Sequence, residues 1–341
     1  MIEMYSIYIC LVVWLVFCAA KFDRTTGLYA FDRATTIPLR AVLAMAVVLG
    51  HLAVRTECDF GVLRYFLWHR YAVCVFFFMS GYGMFVSVMN KGDAYLRGMV
   101  SRTIIKLFLP LGLIMLGMAT YALLIGNFNL MAVTRSYMSG QTALCPHSWY
   151  VFELFALSIV FATSASMAKS NKGIFVLCSV GALLLYVVIR YVLQWPGWWW
   201  ESIFAFPVGV AYAGAERKIV AFIKRFGRNV YIGVAVALSL IGLLKFCVHG
   251  GSAGALLESA LGGVVAVCFY VLPLPQWKWL SSLGCVSYEL YLVHGIVRNY
   301  IDRHLCVMNS NLRGVAIILA TIFAAYIFHV VLLLLRKGNR R

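Results

Sequence analysis

The sequence predicts an all-α, polytopic membrane protein, and three observations carry that expectation. Apolar residues fill 63% of the 341 positions and charged residues only 12%, against about a quarter charged in a soluble chain. The mean hydropathy is +0.89. The apolar residues also fall into runs of about 20, the length that crosses a hydrocarbon core as a helix. A water-soluble surface cannot cover so much apolar side chain, so lipid has to serve as the second solvent.

By that ruler the chain divides into about eleven spans: residues 4–20, 37–54, 71–90, 103–125, 148–168, 174–193, 198–215, 230–248, 254–272, 285–302 and 313–335. The first resembles a signal-peptide core, and Cys18-Ala19-Ala20 offers small residues for cleavage. It is preceded by Glu3 and by no Lys or Arg, so an uncleaved helix is expected there. The second carries Arg40 near its start and His51 eleven residues on. The third carries Ser80-Gly81-Tyr82-Gly83, which lacks the spacing of a dinucleotide fingerprint; its glycines are expected to permit close helix packing. The fourth opens with Arg102, Lys106 and Pro110 four residues apart, stacked on one helix face. His147, Trp149 and Glu153 open the fifth and Glu201 the seventh, while His294 sits in the tenth beside Tyr288, Glu289 and Tyr291.

The charge pattern orients these spans. With the N-terminus outside, the segments assigned to the cytoplasm hold twenty of the 29 Lys and Arg residues, including the cluster at 217–228 and the basic C-terminus. Trp195, Trp198, Trp199 and Trp200 then fall at the outer interface, where amphipathic rings prefer to lie. The net charge of +17 is thereby a matter of topology; with no zinc-finger or RNA-binding motif, no nucleic-acid partner is expected. The ten cysteines show no CxxC pair, and most lie inside apolar runs as small hydrophobes. Cys58, Cys145 and Cys306 fall outside, where a disulfide is permitted but not required.

Polar groups at membrane depth are costly and so point to function. Eleven helical steps place Arg40 and His51 about 16 Å apart along the axis, Arg40 near the inner face and His51 in the outer half. Arg40, Arg97, Arg102 and Lys106 together have the charge to bind a polyphosphate anion at the cytoplasmic mouth, though basic residues at inner helix ends also snorkel to lipid phosphates. At the other level, His51, His147 and His294 with the nearby acidic residues suggest a polar cavity opening outward. A histidine there can take and return a hydroxyl proton near neutral pH. There is no HExxH, no inward run of carboxylates, no Walker motif and no GxSxG elbow, so no metal site is expected.

Six segments in order resemble the integral-membrane acyltransferase family 3: the Arg40 and His51 pair in LRAVLAMAVVLGH, FFFMSGYGMF, the Arg102-Lys106-Pro110 run, HSWYVFELFAL, FAFPVGVAYAG and LGCVSYELYLVHGIV. The similarity covers roughly residues 31–335. It implies a membrane domain over residues 31–341, preceded by an additional helix and connector over residues 1–30. Ala41 stands where the family usually has glycine, and Glu153 aligns with no family carboxylate.

The resemblance implies an O-acyltransferase of extracytoplasmic glycans, usually housed in a bacterial inner membrane. Acyl-CoA, acetyl-CoA first among its forms, would be a co-substrate rather than a resident cofactor. Arg40, Arg97, Arg102 and Lys106 would hold its phosphates, and His51 would act as base or brief acyl carrier. Trp149, Glu153, Tyr291 and His294 would support the acceptor, a glycan or lipid-linked sugar. The other class open at this point is a transporter or flippase using the same polar groups to carry protons. Such proteins often show internal repeats, and none is evident.

Overall fold

The computed structural model describes residues 2–23, 28–55, 69–168, 170–247, 258–305 and 308–338. Among them the fold is helical with no strand. Its helices are α1 Ile2–Lys21, α2 Arg33–Arg55, α3 His69–Lys91, α4 Asp93–Leu96, α5 Met99–Leu124, α6 Leu130–Met138, α7 Trp149–Met167 and α8 Asn171–Val187. They continue with α9 Ala205–Phe226, α10 Arg228–Cys247, α11 Leu261–Phe269, α12 Lys278–Cys285, α13 Ser287–His304 and α14 Ser310–Gly338.

Six described helices are long and apolar enough to cross a membrane: α2, α3, α5, α7, α8 and α14. Two further candidates are bent pairs, α9 with α10 at 109° and α12 with α13 at 71°. The chain is thus an all-α, polytopic integral membrane protein, with six to eight crossings supported by length and composition. Each of the eleven expected segments falls on a helix, though α1 contributes a shorter apolar stretch and α11 is nine residues long.

Half or more of the apolar windows of α2 and α3 is buried in protein, whereas α5 and α14 are largely uncovered. Their exposed faces carry Ile104, Ile105 and Leu116, and Leu319, Phe323 and Ile327, which suit lipid. Helix α3 is the axle: it packs most broadly on α9 and also touches α2, α7 and α11. The α3–α9 crossing depends on two glycines. A Cβ on Gly81 would lie 2.2 Å from the Phe206 carbonyl oxygen, and one on Gly209 would lie 2.1 Å from that of Phe78. Close packing is therefore the role of Gly81 but not of Gly83, where a Cβ would meet nothing within 4 Å.

Two boundaries differ from the sequence expectation. The seventh segment becomes helical at Ala205 rather than at residue 198, after a short 3₁₀ turn over Gly197–Trp199. The tryptophans are spent on side-chain anchoring instead: Trp195 Nε1 donates to the Met138 carbonyl at 2.9 Å and Trp199 Nε1 to that of Gly140 at 2.6 Å. The tenth segment is split, α12 ending at Cys285 and α13 resuming at Ser287. Helix α1 packs along α10 and against α11, with Trp14 on Phe269 and Cys18 donating to the Cys268 carbonyl.

Candidate active site

Four helices carry the site, and the spacing along each sets which residues share its face. On α2, Arg40, Val47 and His51 recur at seven and four residues and so share a face. Arg70, Val73 and Ser80 do the same on α3, as do Ser287, Tyr291 and Arg298 on α13. Helix α7 adds Trp149, Tyr150 and Leu154. These faces enclose two cavities. One, of about 630 Å³, is lined by His51, Arg70, His147, Trp149, Glu201 and Arg298 among others. The other, of about 400 Å³, is lined by Arg40, Lys106, Ser80, Tyr150 and Tyr288 among others. Val73 and Tyr291 line both.

At the first cavity three imidazoles form a stack. The ring of His51 lies 3.9 Å from that of His147 and 5.2 Å from that of His294, and the last two are 5.0 Å apart, with interplanar angles of 17–25°. His294 is 2% exposed. Its Nδ1 lies 2.5 Å from the Tyr291 carbonyl oxygen. A carbonyl only accepts, so Nδ1 carries the hydrogen in this contact. His147 sits outside the helices at φ 68°, a left-handed conformation that non-glycine residues rarely adopt. Its N–H donates to Thr142 Oγ1 at 3.1 Å, and its carbonyl accepts from the Tyr291 hydroxyl.

Ring nitrogens of the three histidines that the sequence grouped at one depth lie within 4.8 Å of one another, close enough to hold a metal ion, which the absence of a metal-binding motif did not lead one to expect. The same ring atoms that could ligate an ion can also handle a proton: charge taken up by His51 is felt at once by both neighbours.

The remaining expected residues divide. Trp149 lines the histidine cavity with Trp198, and Lys106 joins Arg40 at the second cavity. Arg97 and Arg102 are exposed and line neither; Arg102 donates to the Tyr95 carbonyl and lies over that ring at 5.2 Å. Glu153 is 1% exposed, lines neither cavity, and its carboxyl oxygens have no hydrogen-bond partner among the described residues. Glu289 is turned towards α14, where it pairs with His329 Nδ1 at 2.7 Å. The candidate cysteines Cys58 and Cys306 lie outside the described residues, while Cys145 is a buried free thiol.

The sequence expectation missed two arginines of the histidine cavity. Arg70 pairs with Glu201 at 2.7 Å and Glu258 at 3.4 Å. Arg298, 7% exposed, bonds the Asn299 side chain at 2.8 Å. Its signal was present: it lies four residues past His294 and seven past Tyr291, on their helix face.

Fold and site thus define an integral membrane protein with a histidine-lined cavity and an arginine-lined cavity meeting inside one helix bundle. A family model described as an acyltransferase domain matches residues 39–330, and the chain belongs to this family, acyltransferase family 3. It is accordingly an enzyme that transfers acyl groups to a substrate. No curated protein and no solved structure matches the chain. The family match begins just before Arg40 and leaves α1 outside it.

Proposed function

We propose that the chain transfers an acyl group, acetyl in the first instance, from cytoplasmic acyl-CoA to a hydroxyl of an extracytoplasmic or lipid-linked glycan. The observation that carries this reading is the pair of cavities: Arg40 lines one, His51 lines the other, and one helix face bears both residues. Arg40 and Lys106 would hold the donor phosphates, where charge-assisted bonds are strong. The thioester would reach the histidine stack from that side and the sugar from the other, its ring against Trp149. His51 would take the hydroxyl proton as the oxygen attacks the thioester carbonyl, and return it to the departing CoA thiolate.

In this arrangement Arg97 and Arg102 serve the membrane surface, and Glu153 a buried supporting position on α7. The enzyme would sit in a bacterial inner membrane, its C-terminus and Arg40 cavity facing the cytoplasm. The test is release of CoA thiol from acetyl-CoA by detergent-purified protein, with cell-envelope glycans as acceptor. Release should depend on the acceptor and fall by about 10²–10⁴ in His51→Ala, the usual contribution of a general base. Release that survives intact in His51→Ala would remove His51 from the chemistry.

A further inference from the structure

The two cavities have a common wall made by two side chains, Val73 from α3 and Tyr291 from α13. Both are buried, at 6% exposed, and both line each cavity. On each helix the wall residue sits midway along a stripe that lines one cavity and continues into the other. On α3 the stripe runs Arg70, Val73, Ser80; on α13 it runs Arg298, Tyr291, Ser287. The route from Arg40 to His51 along these helices therefore passes the Val73–Tyr291 pair.

Tyr291 is also fastened. Its hydroxyl donates to the carbonyl of His147, and its ring packs against Tyr150 at 5.2 Å. The His147 ring in turn lies on His51. Val73 has no polar group to fasten and can only occupy volume. The wall thus has a fixed filler and a latched ring, and the latch ends on a residue held at an unfavourable φ beside His51.

We propose that Tyr291 and Val73 are the partition between the donor and acceptor cavities: closed, they keep acceptor-side water from the thioester, and the Tyr291 ring swings aside when the acyl group arrives. The partition rests on the acyl-CoA reading for what passes through it, though not for its existence. Without it, water would replace the sugar. Its oxygen would form the new bond to the acyl carbon as the carbon–sulfur bond breaks, a proton would pass to the thiolate, and free acid and CoA would be wasted. Release of the latch as the ring turns would also free the His147 carbonyl, coupling donor arrival to the histidine stack.

The wall is tested by access and by chemistry. Ser80→Cys places a thiol in the Arg40 cavity. The variant is reconstituted in sealed vesicles and exposed to a membrane-impermeant thiol reagent from each side in turn, with labelling at position 80 read by peptide mass spectrometry. Labelling from the Arg40 side should occur in every variant and reports an intact fold. From the His51 side it should be slow with Tyr291 present or in Tyr291→Phe, and at least tenfold faster in Tyr291→Ala or Val73→Ala. Equal labelling from the His51 side in all variants would overturn the partition. The second arm measures thiol release from acetyl-CoA without acceptor, expected to rise about tenfold in Tyr291→Ala as transfer to glycan falls. Access that follows Tyr291 while no variant turns over a thioester would keep the partition and remove the acyl-CoA reading.

Discussion

Helix α3 bears both the residues that line the cavities and the glycine contact with α9, and Gly81 itself lines neither cavity, so the helix can be displaced without changing a cavity-lining side chain. Gly81→Ala adds a Cβ 2.2 Å from the Phe206 carbonyl oxygen, and the next nearest atoms are also α9 backbone. Backbone cannot rotate away as a side-chain tip can. Ordinary contact begins near 3.4 Å, so the helices must part by roughly 1 Å, an overpacking that costs about 1–3 kcal/mol. The same shift moves Val73 and Ser80 relative to α2 and α13, and a displacement of about 1 Å at an active site can lower the rate about 10²-fold. Gly83→Ala is the control, since its Cβ meets nothing within 4 Å. Thermal unfolding in detergent, followed by tryptophan fluorescence, should show Gly81→Ala clearly less stable and Gly83→Ala near the parent; thiol release should follow the same order. Gly209→Ala should resemble Gly81→Ala, and the double variant should cost less than the sum, because one separation relieves both clashes. Equal stability of the Gly81 and Gly83 variants would refute the crossing as described.

Arg40→Ala and Lys106→Ala should each raise the KM for acyl-CoA by about 10–100-fold, the worth of a charged hydrogen bond, whereas Arg97→Ala should stay within about threefold; comparable losses at Arg97 would place the phosphates elsewhere. Trp199→Phe removes the donor to the Gly140 carbonyl and should loosen the loop bearing His147, lowering stability by about 0.5–1.5 kcal/mol; an unchanged melting curve would discount that anchor. Burial pushes the Cys145 thiol up to about 12. A raised pKa favours the neutral thiol, so about one part in 10⁴ is thiolate at pH 8. Alkylation of Cys145 should therefore be slow and rise about tenfold per pH unit, while exposed Cys285 reacts readily; equal rates for the two by mass spectrometry would contradict that burial.

Much of the fold was legible because lipid imposes one dominant rule, a run of apolar residues for each helix. That rule located a helix at each expected segment, but it counts residues and does not see where a helix begins to turn. The Trp198–Trp200 run is as apolar as a span. Its indoles nevertheless carry N–H donors, and Trp199, like Trp195 just before the run, spends its own on a backbone carbonyl, that of Gly140 for Trp199 and of Met138 for Trp195. The break at Val286 is invisible for the same reason, since α12 and α13 are both helical and only their angle differs. Gly81 and Gly83 show the limit in miniature: identical residues two positions apart point to different sides of α3, and only one side faces α9.

At the site, spacing within a helix was readable and meeting between helices was not. The interval from Arg40 to His51 fixes both residues on one face of α2, wherever that helix sits. Nothing local says that α13 presents Tyr291 to the same axis, or that the loop before α7 folds back to lay His147 on His51. The four basic residues make the point from the other side. The charge pattern assigns all four to cytoplasmic helix ends, yet of the four only Arg40 and Lys106 line the cavity. Arg102, one turn before Lys106, instead swings to the Tyr95 carbonyl. Charge at a helix end is a membrane property shared by every span, so it cannot by itself select a ligand. What separates the four is which residues a side chain meets across the bundle: Tyr291, for one, donates its hydroxyl to the His147 backbone carbonyl and also lines the cavity of Arg40.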